Sequence, residues 1–200
     1  MTSTRFFMIG SWTEGMFHFQ KLAPFVVSYE NASIQATAYR LPVGFPILTE
    51  SKTQIIHGQL IELNCDVTLL SLIDTLHGVK LSEPAKGLHY RAEVQVRKSS
   101  GQIESAFVYF FNPKKLTSKA QLLHDGDWKR SLQQEAPLPL QLTEKQKTYV
   151  LKLGAVKGRD IVPINDLPLY RELMKLELIV DKGRRLALSP LGKEVYNYLI

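Results

Sequence analysis

The sequence predicts an α+β protein in two parts: a mainly antiparallel β domain, then a small α+β domain. Three observations carry this. Apolar and polar residues alternate through 33–41, 54–63, 88–97 and 102–111, the two-residue period of half-buried strands. After residue 142 apolar residues recur at helical spacing instead. Between these regions Pro137 and Pro139 bracket Leu138, and proline, with φ fixed and no N–H to donate, is expected to interrupt regular structure. The expected domains are therefore 1–134 and 142–200, joined by a linker over 135–141.

Taken in order, Arg5–Ile9 is a short apolar run ending in Gly10-Ser11, which suits a buried first strand entering a turn. A brief helix is expected over Gly15–Leu22. Strands follow at Ser33–Leu41 and Gln54–Leu63. In Asp66–Leu76 the residues Leu69, Leu72, Ile73 and Leu76 form a helical stripe that Asp66 can cap and Gly78 ends. Leu88–Arg97 and Gln102–Phe111 flank Ser99-Ser100-Gly101, a hairpin turn, so those strands pair antiparallel. Downstream, Thr143 with Gln146 makes a capping-box pattern for a helix over about 143–154. A second helix is expected over Asn165–Leu176, a tight hairpin over Leu178–Leu188, and a last helix over Ser189–Leu199.

Composition excludes several classes. With 44% hydrophobic and 22% charged residues the chain is too apolar to be mostly disordered. No apolar run approaches the ~18–20 residues needed to cross a bilayer, and the first residues lack a secretory pattern, so a cytoplasmic protein with no membrane partner is expected. The net charge of +6 is spread thinly: residues 1–137 hold 14 Lys/Arg against 12 Asp/Glu, and 138–200 hold 11 against 7. Neither part is a polybasic arm. Cys65 is the sole cysteine and reads as a small buried hydrophobe. The five histidines, at 18, 57, 77, 89 and 124, have no metal-ligand spacing, and no phosphate or dinucleotide loop is present, so neither metal nor cofactor is expected.

Several separated segments then line up, in order, with one superfamily. Phe7-Met8-Ile9-Gly10-Ser11-Trp12-Thr13-Glu14-Gly15 resembles the opening strand and loop of gamma-glutamylcyclotransferase-like proteins (the avirulence-induced-gene domain), usually Phe-x-Tyr-Gly-Ser/Thr-Leu-x-x-Gly. Ile56–Leu63 resembles its Val-x-Gly-Glu-Leu-Tyr strand, and Leu72–Gly78 its Leu-Asp-x-x-Glu-Gly helix end. His89–Val94 resembles its Tyr-x-Arg strand, Ala106–Tyr109 its Ala-Trp-Val-Tyr strand, and Asp125-Gly126-Asp127-Trp128 its Ser-Gly-Asp-Trp closure. The resemblance implies a small mixed, mainly antiparallel β-barrel. It also implies chemistry in which a gamma-glutamyl amine attacks its own side-chain carbonyl, releases an amine and closes 5-oxoproline. One shielded carboxylate would accept the ammonium proton and return it.

Two departures matter: Ile9 replaces the tyrosine, and His77 stands where the family has its catalytic glutamate. His77 is therefore the candidate acid–base, with a ligand-binding histidine, or a helix-end histidine favoured as a cation by the macrodipole, as its other readings. Glu83, six residues on, is the candidate substitute; Glu14 and Glu62 are further carboxylates. Substrate-binding candidates are Ile9, Gly10, Ser11, Trp12, Tyr90 and Tyr109, where backbone amides or hydroxyls can hold a carboxylate or oxyanion. Both tyrosines also read as packing residues, and alternation puts Arg91 on the face opposite Tyr90.

Leu176–Val180, Asp181–Arg185 and Leu186–Gly192 resemble the helix, wing and final helix of winged-helix proteins. The basic wing suits phosphates, yet there is room for only one further helix where a DNA reader supplies two, so packing or a dimer is preferred over DNA. The expectation is a diverged cyclotransferase-like protein with a small-molecule pocket for an amine or gamma-glutamyl compound. It would lack the standard activity and act as a ligand-binding or protein-interaction module, with a protein partner or homodimer. The competing expectation is an active enzyme using His77 or a nearby glutamate.

Overall fold

A computed structural model describes residues 3–124, 126–156, 161–183 and 185–200. Asp125 of the closure motif and Arg184 of the expected wing lie outside the described residues. Contacts divide the chain into two compact units, one of residues 1–41 and 45–134, the other of 42–44 and 135–200.

The first unit is a closed barrel. β1 (Ser3–Met8), β2 (Val26–Arg40), β3 (Pro46–Asn64), β4 (His89–Lys98) and β5 (Ile103–Phe111) run in the order β3-β1-β5-β4-β2, and β2 pairs with β3 to close the ring. Only β1 and β5 are parallel, meeting at Phe6 and Phe107; the other ladders are antiparallel. Closure leaves these strands few free edges, and a short β6 (Gln121–Leu122) adds to β2 at Tyr39 and Arg40. This is the α+β barrel that the sequence predicted.

Alternation gives the barrel two packed faces. Phe7, Ile34, Ile56, Leu60, Val96, Val108 and Phe110, drawn from all five strands, fill the interior. Their neighbours Phe6, Met8, Ile61, Leu63 and Tyr109 turn outward, where α2 (Val67–Leu76) covers them with Leu69 and Ile73. Asp66 starts that helix by accepting the Leu69 N–H at 2.8 Å, and Gly78, with φ at 67°, stops it. Ile73 is fully buried, so its truncation to alanine would cost about 2–5 kcal/mol.

Several boundaries differ from expectation. Of the helix expected over Gly15–Leu22, only α1 (Phe19–Leu22) forms, because Gly15 sits at φ 77° and breaks the turn. The strands expected at Ser33 and Gln54 begin earlier, at Val26 and Pro46. Register shifts hide this: Ala36 pairs with Gln54 but Thr37 with Thr49, so the apolar alternation is interrupted while the strand continues. The unit ends in α3 (Trp128–Gln134).

In the second unit the stretch expected to be a linker contains a helical turn, α4 (Leu138–Gln141), with Pro139 near its start where a missing N–H costs nothing. α5 (Glu144–Ala155) carries the full capping box of Thr143 and Gln146, and α6 (Leu167–Lys175) is capped by Asp166. β7 (Ile179–Asp181) and β8 (Leu186–Leu188) form an antiparallel hairpin, and Ser189 caps α7 (Pro190–Leu199). Tyr149, Val150, Leu173, Ile179 and Val195 are buried.

Candidate functional site

The loop after β1 is tight because Gly10 adopts φ 59° and a side chain there would collide with the Pro46 ring. Residues 10–12 form a single turn, closed by the Thr13 N–H and hydroxyl, which both donate to the Gly10 carbonyl at 3.1 and 2.7 Å. Ser11 is buried, and its hydroxyl sits 2.8 Å from His18 Nδ1. That turn delivers Trp12 onto the end of α2.

There His77 is 8% exposed, held between two rings. The Trp12 indole lies on one face at 4.4 Å between centroids, 22° from parallel, and the Tyr109 phenol on the other at 3.8 Å and 8°. His18 stacks on the far side of Trp12 at 4.6 Å, so four rings lie face to face. His89 meets His77 edge-on at 5.8 Å.

The tautomers follow from the acceptors. His77 Nδ1 lies 3.0 Å from the Ile73 carbonyl and His89 Nδ1 2.7 Å from the His77 carbonyl. A carbonyl only accepts, so each Nδ1 carries the proton and each Nε2 is a bare lone pair. Desolvation, reinforced by the neighbouring imidazoles and opposed by the Ile73 bond, lowers the His77 pKa from 6.5 to about 3. Burial lowers His89 as well, and burial and Lys21 lower His18. His77 does end α2, its backbone N–H donating to the Ile73 carbonyl, but it is buried, and a macrodipole worth ~0.3–1 kcal/mol cannot offset the loss of water around a buried charge.

Behind the stack is a group that sequence reasoning missed. Asp74, buried, receives the Tyr109 hydroxyl at 2.7 Å and Arg91 Nη1 at 3.1 Å on the same oxygen. Burial first, and then the Asp74 charge, hold the Tyr109 phenol well above its usual range. The guanidinium of Arg91 also lies 4.9 Å from the Phe107 ring. The legible signal was a carboxylate three residues from His77 on a helix whose apolar stripe faces the barrel.

The remaining candidates lie elsewhere. Tyr90 points the other way, as alternation required relative to Arg91. It packs on the interior cluster and donates to Glu50 at 3.1 Å; burial first, and then that bond, push its pKa up to about 12. Glu83 is exposed and paired with Lys86 at 2.5 Å. Glu14 is exposed, and Glu62 is held by Ser3, Ser28 and Arg5. None of the three is among the recorded partners of His77.

Ile9 and Gly10 line a cavity of about 480 Å³ together with Ile56, Gln59, Leu123 and Trp128. Ser11, Trp12, His77, Tyr90 and Tyr109 do not line it. Of the residues picked from the sequence, Ser11, Trp12, His77 and Tyr109 thus gather at the ring stack, Ile9 and Gly10 at the cavity beside the interior cluster, and Tyr90 and the three glutamates at neither. Among the described residues, no three His, Cys, Asp or Glu side chains gather as a metal site would need, and no helix is long and apolar enough to cross a membrane.

Among solved structures, At5g39720.1 from Arabidopsis thaliana is similar with a TM-score of 0.50 at 14% identity, covering 67% of this chain and 85% of that one. YkqA from Bacillus subtilis gives 0.49 at 17% over 68% of this chain, which spans only 44% of YkqA. A gamma-glutamyl cyclotransferase gives 0.46 at 15%, over 87% of this chain and 99% of that one. At such identities these likenesses concern the fold alone. No curated protein matches the chain. Residues 6–130, which hold the barrel, the ring stack and the cavity, match the family described as gamma-glutamyl cyclotransferase, AIG2-like, and the chain belongs to that family.

Proposed function

We propose that this protein is a diverged cyclotransferase-like module that binds a small molecule or a protein partner in the cytoplasm and does not form 5-oxoproline at His77. The observation that carries the reading is the stack itself. A base for this reaction must take an ammonium proton and hand it on, and an imidazole with a pKa of about 3 is protonated too rarely near neutral pH to do so. Trp12 and Tyr109 cover both of its faces, and no alternative carboxylate among Glu14, Glu62 and Glu83 is recorded touching it.

The competing reading, an active cyclotransferase with His77 as the base, is favoured by its Nε2, which makes no hydrogen bond among the described residues. Incubation with a panel of gamma-glutamyl amines and dipeptides separates the two. No 5-oxoproline is expected from the wild type; robust turnover that disappears in His77→Ala would overturn the proposal.

We further read residues 142–200 as a winged-helix-like interaction domain, supported by the order α5, α6, β7, β8, α7. A protein partner or second copy is the preferred occupant over DNA, because among the described residues a single helix, α6, lies between α5 and the hairpin. A gel shift with random duplex DNA at low salt is expected to show no complex.

A further inference from the structure

The cavity beside the barrel interior is separate from the ring stack and has chemistry of its own. Its wall is hydrocarbon: Ile9, Ile56, Leu123 and the partly buried indole of Trp128. A volume of about 480 Å³ lies within the ~300–1,000 Å³ of small-molecule clefts. Around this wall the polar groups lean toward donation. Lys129, exposed at the start of α3, makes no ion pair among the described residues. The Gln59 carbonyl oxygen already accepts the Glu14 N–H at 2.7 Å, which leaves its NH₂ as the free end of the amide. His57 is exposed on the same side, and Asn31 is neutral and serves either sense. The lining carboxylate, Asp127, has one oxygen committed to the Arg130 N–H at 2.9 Å.

We propose that this cavity binds an amphipathic organic carboxylate, with its apolar body against Ile56, Leu123 and Trp128 and its charge at Lys129 and the Gln59 amide. The inference rests on the small-molecule reading above and sharpens it to a ligand class. An apolar body gains by leaving water, and a charge-assisted contact at the rim fixes its orientation. A neutral molecule of the same shape would forgo the second term.

The test uses the full chain carrying Trp12→Phe, which leaves Trp128 as the only tryptophan of the two. Anilinonaphthalenesulfonate, an aromatic anion, is the probe. Energy transfer from Trp128 to the bound probe is expected, with displacement by decanoate and not by decanol at equal concentration. Lys129→Glu, a surface change whose folding is checked by circular dichroism, should weaken decanoate by about two- to tenfold, as losing and reversing an exposed charge contact does. Equal competition by decanol with no effect of Lys129→Glu would overturn the carboxylate assignment and leave the small-molecule reading standing. Absence of transfer from Trp128, or a probe displaced by neither compound, would overturn both. Turnover to 5-oxoproline, measured separately, bears on the activity alone.

Discussion

The indole of Trp12 and the imidazole of His77 lie stacked with centroids 4.4 Å apart, so the first loop covers the histidine that ends α2. Aromatic pairs of this kind add ~0.5–1.5 kcal/mol beyond the area they bury. The contact joins the loop after β1 to the end of α2, and it sets what substitutions there will do.

Placing a glutamate at this position is therefore not expected to create chemistry by itself. His77→Glu would put a carboxylate between two rings with little water. It should lower stability by about 2–3 kcal/mol in urea unfolding, with no 5-oxoproline formed. Trp12→Leu combined with His77→Glu removes the cover and is the variant in which turnover is to be sought; activity in the single variant would contradict the stacked geometry.

Stability should fall on the acid side. The folded-state pKa of His77 lies below its unfolded value of 6.5, so its contribution is intact above that pH and is lost as pH drops from there toward about 3. His89 and His18 shift in the same direction. Between about pH 7.5 and about pH 5, His77 alone should account for about 2 kcal/mol. Thermal melts across this window check it: His77→Gln should flatten the acid-side fall relative to the wild type.

Asp74 supplies a third test. Tyr109→Phe keeps the ring on His77 but removes a hydroxyl from a buried carboxylate, an expected cost of ~1–3 kcal/mol. Arg91→Met removes the cation paired with that carboxylate and should cost more, about 3 kcal/mol or above. Equal effects in urea titrations would show that the ion pair adds nothing beyond the phenol.

The C-terminal unit has its own sensitive points. Thr143→Ala removes half of the capping box and should cost about 1 kcal/mol. Gly192→Ala would drive a methyl group into the Leu178 carbonyl, backbone that cannot swing aside, at a cost of about 1–3 kcal/mol. Circular dichroism melts of the two variants rank them.

Much of the barrel was legible because strands and caps are local. The period of two through 88–97 and 102–111 gave β4, β5 and their antiparallel pairing, and Asp66, Thr143 and Gly78 marked helix ends by hydrogen-bond and φ requirements of single residues. What eluded reading were β2 and β3 near their register shift, where the barrel bends, and the fate of Pro139, which begins a turn of helix instead of a linker.

The sequence by itself determined which residues can alternate, cap and turn, and singled out His77 only through a resemblance that sets it against a glutamate. Only the tertiary structure decided what that histidine is. Trp12 reaches it from the loop after β1 and Tyr109 from β5, so no local spacing announces them, and their packing removes the water that would hold a charge on the imidazole. Burial, a property of the whole fold, thus sets the protonation state and separates a covered outer stack from the cavity that Ile9 and Gly10 line.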